Sequence, residues 1–324
     1  YLKALYRIEY FGIGFDEERS ETELFDIEDL VSLKELELRE YIYNEYGCEK
    51  AHTINFNSSK QLSELLYVDL DIPRPDRNLY PNGVAFDKLF TSTLTNADLL
   101  ETIKNPFIEM FLEWKKVVAV GKSIQSYADL SFNNRLYPSF NITGTRTGRI
   151  SCSQPNLQNS PKDKKGLPSV RTLFRPNEGE KLISIDYQQQ EIRMLAILSQ
   201  DENLLSLVKD GTDMHTVVGK QMFRKDELTK EERDVIKAIH FSLLYGSSPS
   251  AIAFKIGSDV EYADNLVNTY YENFPDVKVF MDNIRDEADQ MGGITLFTGR
   301  KWECLPGAAY QAVNAVIQGS CAEL

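Results

Sequence analysis

Cysteine and histidine are scarce in this chain of 324 residues. The four cysteines, Cys48, Cys152, Cys304 and Cys321, lack the paired spacing of a zinc site, so free thiols are expected. Three histidines, His52, His215 and His240, are too dispersed for a histidine-based metal centre, which leaves carboxylates to hold any metal. No apolar run approaches the roughly 18 residues of a membrane span. No basic segment followed by an apolar one opens the chain, so secretion is not indicated. Internal repeats and low-complexity tracts are lacking as well.

Positive charge is also in deficit, with 36 Lys and Arg against 49 Asp and Glu and a net charge of -13. Taken as a sum, that argues against a polyanionic partner, because phosphate contacts need cations. The distribution reverses the argument. Residues 1–50 are strongly acidic, whereas residues 141–176 carry Arg146, Arg149, Lys162, Lys164, Lys165, Arg171 and Arg175 against Asp163 alone. An acidic exterior with one basic tract is compatible with a focused polyanion site. The length predicts two or three subdomains, and an apolar content of 42% is ordinary for a globular protein.

Along the chain, residues 1–50 read as helical with an acidic face. Asn57 or Ser58 is placed to cap a helix from Lys60 onward. Residues 71–83, rich in Pro, Asn and Asp, read as loop. A long amphipathic helix follows over 105–124, with Ile108, Phe111, Leu112 and Val118 on its buried stripe. Residues 136–180 are rich in Ser, Thr, Asn, Gly and Pro, with short strand-like pieces. Residues 192–292 read as mostly helical, broken at Pro275 and ended by Gly292 and Gly293, and a hairpin turning near Thr298 and Gly299 comes next.

Two stretches carry chemistry. In KLISIDYQQQEIRMLA, residues 181–196, a strand delivers Asp186 at its carboxyl end, and helical spacing takes over at Ile192, Leu195 and Ala196 with Glu191 just before it. In KEERDVIKAIHFSLLYG, residues 230–246, Ile236, Ile239 and Leu243 form an apolar stripe, while Arg233, Lys237, Phe241 and Tyr245 share another side. Two cations followed by two aromatic rings suit a nucleoside triphosphate, whose phosphates and base they would hold. Spacing alone favours a solvated basic face with half-buried aromatics, and a strand-end aspartate is more often a turn or cap residue than a catalyst. The two stretches together supply what metal-assisted phosphoryl transfer needs, since Mg²⁺ takes one or two carboxylates plus phosphate oxygens.

Four ordered segments, TGRISCSQPNLQNSP, DYQQQEIRMLA, RDVIKAIHFSLLYG and NAVIQGSCAEL, resemble the polymerase region of family A DNA polymerases, the bacterial polymerase I type with its phage relatives. Weaker matches, FNSSKQL, YPSFN, DMHT and TLFTGRKWECLPG, stand before or between them in the family's order, so the resemblance covers essentially the whole chain. It implies an α+β right-hand fold with an antiparallel palm sheet, helical fingers and a helical thumb. Residues 1–25 would enter the palm, 26–130 form the thumb, 131–192 the palm with the first metal motif, 193–300 the fingers, and 301–324 return to the palm.

The resemblance further implies template-directed DNA synthesis on a primer-template with dNTPs, by a monomer in the cytoplasm of a bacterial or phage-infected cell, without a membrane. Asp186 and the backbone carbonyl of Tyr187 would hold metal, two Mg²⁺ ions serving the complete enzyme. Asp186 and Lys237 would be catalytic. Gln189, Glu191, His215, Arg233, Lys237, Phe241 and Tyr245 would bind the nucleotide, Glu191 crowding the 2′ side of the sugar. Arg149, Asn156, Gln158, Asn159, Asn314 and Gln318 would lie along the DNA. The chain departs from the family's pattern at Gln188 to Gln190 in place of Ser-Gln-Ile, at His240 and Ser242 in place of Asn and Gly, and at Tyr310 in place of an arginine.

A start at Tyr1 without Met and a stop at Leu324 within a helical pattern lead to the expectation of a fragment, with a second catalytic aspartate on a hairpin beyond it. The other readings are a single-subunit RNA polymerase or reverse-transcribing variant, which Glu191 disfavours, and a non-catalytic nucleic-acid-binding remnant. Asp26, Ile27 and Glu28 imitate an exonuclease motif, but their acidic helical setting predicts a solvated face.

Overall fold

A computed structural model describes residues 2–74, 97–163, 165–209 and 213–324. The loop expected over 71–83 lies mostly outside the described residues, as does Lys164 of the basic tract. By its internal contacts the chain forms two compact units, Tyr1–Phe140 with Cys152–Ser184, and Asn141–Ser151 with Ile185–Leu324. Helices joined to small antiparallel sheets make an α+β fold.

In the first unit the acidic N-terminal stretch is two helices, not one. Helix α1 (Leu2–Phe11) leads into strand β1 (Ile13–Phe15) before α2 (Glu17–Tyr46) begins. Asp16 caps α2 by accepting from the Arg19 amide at 3.1 Å. Strand β1 is the centre of a three-stranded antiparallel sheet, between β2 (Arg135–Leu136) and Phe174–Arg175, with Ile13 opposite Leu136 and Phe15 opposite Phe174. Three residues are too few for an alternation to be read from sequence. Helix α3 (Ser59–Glu64) starts at Ser58, whose side chain accepts from the Gln61 amide. Short α4 (Ala97–Leu100) precedes α5 (Pro106–Leu130), which Asn105 caps with Pro106 in its first turn.

Helix α5 extends beyond the predicted stretch and is the core of this unit. Its Phe107, Ile108, Phe111 and Trp114 pack with Leu38 and Ile42 of α2 and with Phe56, and farther along Val117, Val120 and Ile124 join Phe15 and Ile27. Val118, expected on the stripe, is only half-buried, because the buried track continues through Val117 and Val120. Of the exonuclease-like triplet, Asp26 and Glu28 face solvent as expected, while Ile27 between them is buried in the core. Strands β3 (Ser139–Asn141) and β4 (Ser151–Ser153) form a two-stranded ladder, and Phe174–Arg175 is β5.

The second unit is built on α6 (Gln190–Ser199), α7 (Glu202–Lys209), α8 (Met214–Phe223), α9 (Lys230–Leu244), α10 (Pro249–Ile256), α11 (Val260–Asn273), α12 (Pro275–Met291) and α13 (Ala312–Glu323). Pro275 starts α12, Gly292 ends it, and β6 (Gly293–Thr295) pairs with β7 (Lys301–Glu303) as the predicted hairpin. Helix α9 opens on a capping box: Thr229 Oγ1 accepts from the Glu232 amide at 3.2 Å and the Glu232 carboxylate accepts from the Thr229 amide at 2.9 Å. Its Ile236, Ile239 and Leu243 enter a core shared with Leu195, Val218, Tyr270, Phe274 and Val277. Burial of that stripe turns the cation and aromatic stripe away from the core.

The apolar stretch 181–186 departs from expectation. It forms no ladder, and Ile183 and Ile185 are 81% and 90% exposed. Strand propensity cannot bury a strand by itself, because its rows of N–H and C=O groups need a neighbour. No described residue pairs with this stretch. The four cysteines are free thiols, and among the described residues no helix is long and apolar enough to cross a membrane.

Asp213 ties three helix starts of the second unit together. It caps α8 through the His215 amide (3.2 Å) and Thr216 Oγ1 (2.8 Å). It also accepts from Gln189 Nε2 at the entry to α6 (2.8 Å) and from Arg233 Nε in the first turn of α9 (2.7 Å). Partial burial pulls this carboxyl upward, but the hydrogen bonds from Arg233, Thr216 and Gln189 and the charge of Arg233 outweigh it and hold the pKa at about 2. A pKa depressed on folding stabilises the fold above the unfolded value and loses that contribution as pH falls through the folded one. For a one-third exposed group, screening leaves about 1–2 kcal/mol at neutral pH. Denaturant titrations of the parent and Asp213→Asn should therefore differ by about that amount at pH 7, with the gap roughly halved by pH 3. A gap independent of pH would remove the ion pair as its cause.

Candidate active site

The second stripe of α9 is presented as its spacing predicts. Arg233 is half-buried and anchored by Asp213, Lys237 is exposed and makes no salt bridge among the described residues, Phe241 is half-buried, and Tyr245 is 46% exposed. The helix stops at Leu244 with Gly246 at φ +67°, where an added Cβ would stand 2.4 Å from the Tyr310 carbonyl oxygen. No other residue fits there without moving backbone. The stripe is therefore cationic at its amino end and aromatic at the other.

Behind it lie two histidines. His215 and His240 are 4% and 2% exposed, their Nδ1 atoms are 2.9 Å apart, and the His215 ring lies 6.4 Å from that of Phe241. Burial lowers the pKa of His215, the Asp213 charge opposes this, and Arg233 and Lys237 reinforce it. Burial, then the neighbouring His215, holds His240 at about 3. Both imidazoles are neutral at neutral pH.

Across the unit, Glu191 at the start of α6 is the hub of a second network. Its Oε1 pairs with Arg149 and accepts from Gln318 Nε2 of α13 at 3.2 Å, and Gln318 Nε2 also donates to Tyr245 Oη at 2.7 Å. Glu191 Oε2 and Asn314 Nδ2 are buried without a protein hydrogen-bond partner. Residues 141–151, which carry Arg149, are fixed by Arg146. Its guanidinium lies 4.9 Å over the Trp302 ring, Nη2 donates to the Glu303 carbonyl at 2.8 Å and Nη1 to Gln311 at 3.2 Å. Gly148 has φ +83°, and a Cβ there would meet the Arg300 guanidinium at 1.6 Å. Gln190 Nε2 donates to the Cys321 carbonyl at 3.1 Å, a tie from α6 to α13 that an isoleucine could not make.

Asp186 and Tyr187, just before α6, are exposed. No group of three or more His, Cys, Asp or Glu fit to hold a metal occurs among the described residues. Asn156, Gln158 and Asn159 are exposed on a short turn of the first unit, where Asn156 Oδ1 accepts from the Gln158 amide at 3.1 Å. The structure thus joins Arg149, Glu191, Tyr245 and Gln318 in one hydrogen-bonded chain, and Gln189 and Arg233 through Asp213 in another. Asp213 and His240 were missed as site residues. An aspartate ahead of a helix start signals a cap, and that signal was present in DMHT; nothing in the sequence announced the contact between His215 and His240.

The family model for DNA polymerase family A matches residues 26–324. DNA polymerase I of Caldicellulosiruptor bescii is 31% identical over 340 residues, covering 100% of this chain and 38% of that protein. DNA polymerase I of Bacillus subtilis is 31% identical over 302 residues, covering 85% of this chain and 33% of that protein. The chain thus spans under two fifths of the length of these curated relatives. Among solved structures, the POL domain of Pol1 from M. smegmatis, in complex with DNA primer-template and dNTP, aligns with a TM-score of 0.83 at 27% identity, covering 99% of this chain and 56% of that one. With a family match over most of its length and relatives of this identity, the chain belongs to DNA polymerase family A.

Proposed function

We propose that the protein carrying this chain performs template-directed DNA synthesis, transferring a nucleotide from a dNTP to a primer 3′-hydroxyl. The observation that carries the reading is the exposed stripe of α9, with Lys237 free of salt bridges among the described residues and Arg233 pre-oriented by Asp213. Two cations a turn apart suit consecutive phosphates, and Phe241 offers a face to the nucleotide. Lys237 is placed to neutralise charge on the leaving pyrophosphate and Arg233 to orient it. Tyr245, hydrogen-bonded through Gln318 to Glu191, would hold the template-base position. The Glu191 carboxylate, held at Oε1 by Arg149 and Gln318, would stand as a wall against a 2′-hydroxyl. Arg149, Asn156, Gln158, Asn159, Asn314 and Gln318 are the residues we assign to primer and template. The relative bound to DNA primer-template and dNTP supports this choice of ligands.

The donors for a metal are oxygens only: the exposed carboxylate of Asp186 and the carbonyl of Tyr187. That set fits Mg²⁺, which prefers few protein oxygens and completes its shell with water and phosphate, though it fills one side of a two-ion site. A second carboxylate on a strand that pairs with residues 181–186 would complete the set and satisfy the free backbone groups of that stretch. When bound, the two ions would lower the pKa of the primer hydroxyl and offset charge on the leaving group.

In the full-length polymerase, Asp186→Ala should reduce primer extension to background while primer-template affinity changes less than about threefold, since a single exposed carboxylate adds nothing to phosphate binding. Binding without Mg²⁺-dependent extension in the parent would favour the non-catalytic reading instead. Lys237→Ala should lower kcat/KM for dNTP by about 100-fold; an unchanged nucleotide dependence takes it out of the site. Glu191→Ala should narrow the preference for dNTP over rNTP by about tenfold or more, measured as a ratio of kcat/KM values. A parent that incorporates rNTPs as well as dNTPs would defeat the DNA polymerase assignment.

A further inference from the structure

We propose that His240 is a positioning residue that fixes the tautomer of His215: His240 donates its Nδ1–H to His215 Nδ1, so that His215 carries its proton on Nε2 as a neutral donor for an anionic oxygen. The inference rests on the reading of α9 as the triphosphate site, which supplies that oxygen.

The contact itself allows only two neutral arrangements. A 2.9 Å distance between ring nitrogens is a hydrogen bond and holds one proton, so one histidine donates and the other accepts. His240 Nε2 breaks the tie. It is buried and has no hydrogen-bond partner in the protein. If His240 accepted at Nδ1, its proton would sit on Nε2 as an orphaned buried N–H, the rarest kind of unsatisfied group. If His240 donates, Nε2 keeps a lone pair, which is the better tolerated orphan. The donating arrangement leaves His215 protonated on Nε2.

The surroundings keep both rings neutral. Tyr270 from α11 packs on the His240 ring with centroids 5.1 Å apart. The charged groups nearby are Asp213 at the start of α8 and Arg233 and Lys237 on α9; burial with the two cations outweighs the carboxylate at His215, and burial with the neighbouring His215 outweighs it at His240. A neutral imidazole N–H beside two cations adds a directed hydrogen bond to the phosphate without adding a third mutually repelling charge. An asparagine at this place can offer an amide N–H to the same acceptor.

The test is the ring nitrogen shifts of histidine-labelled chain at neutral pH. Three histidines make assignment simple with His52→Gln and His240→Asn. Expected are a pyrrole-type Nε2 and pyridine-type Nδ1 for His215, with the reverse pattern for His240. His240→Leu should leave His215 averaged between tautomers, and His240→Asn should restore the single pattern. In the full-length polymerase, the KM for dNTP should rise about fivefold in His240→Leu, more than kcat falls, and recover in His240→Asn. A pyridine-type Nε2 on His215 in the parent overturns the proposal, as does an unchanged His215 spectrum in a folded His240→Leu. If that variant does not fold, the parent's pattern decides alone. Failure of the triphosphate reading looks different: Lys237→Ala would leave nucleotide dependence untouched while the tautomer pattern stood.

Discussion

Asp213 accepts hydrogen bonds from Arg233, Gln189, Thr216 and the His215 amide, and much of the second unit's site depends on that one carboxylate. As the cap of α8 it satisfies the His215 amide, which the helix start would otherwise leave unpaired. As the partner of Arg233 it orients a guanidinium whose long side chain would otherwise sample many rotamers. As the acceptor of Gln189 it fixes the residue that opens α6, and so the approach of Glu191. An arginine held in this way loses little freedom when a ligand arrives.

The second dependency is the division of labour on α9. Its apolar side is buried among helices α6, α8, α11 and α12, so the direction of the Arg233, Lys237, Phe241 and Tyr245 stripe is set by hydrophobic packing rather than by any contact of the stripe itself. Packing of this kind is non-directional in origin but rigid in result, because a close-packed core permits few rotations. The capping box at Thr229 and the left-handed Gly246 bound the helix, so its register is fixed from both ends.

Much of this was legible in the sequence because it is local. The stripe on α9, the break at Pro275, the stop at Gly292 and the hairpin near Gly299 follow from spacing and from residues with narrow backbone preferences. What was not legible depends on partners distant in the chain. Strand β1 exists through pairing with residues over a hundred positions away. The stretch 181–186 has the apolar alternation of a buried strand and yet stands uncovered, since alternation specifies a face and not a neighbour. The His215 and His240 contact joins two helices, and no spacing rule within either one reports it.

Two residues at which the sequence departs from the expected pattern, Gln190 and His240, each make a polar contact of their own. Gln190 reaches the Cys321 carbonyl and links α6 to α13. His240 reaches His215. Gln190 is half-buried and His240 buried, and a buried polar group is tolerated only when it is hydrogen-bonded. Gln190 meets that condition through one donor; His240 meets it at Nδ1 and leaves Nε2 open. The unpaired nitrogen restricts where the proton of the pair can rest. A defect in hydrogen bonding on the buried side of α9 thereby becomes an ordering influence on the histidine packed against Phe241.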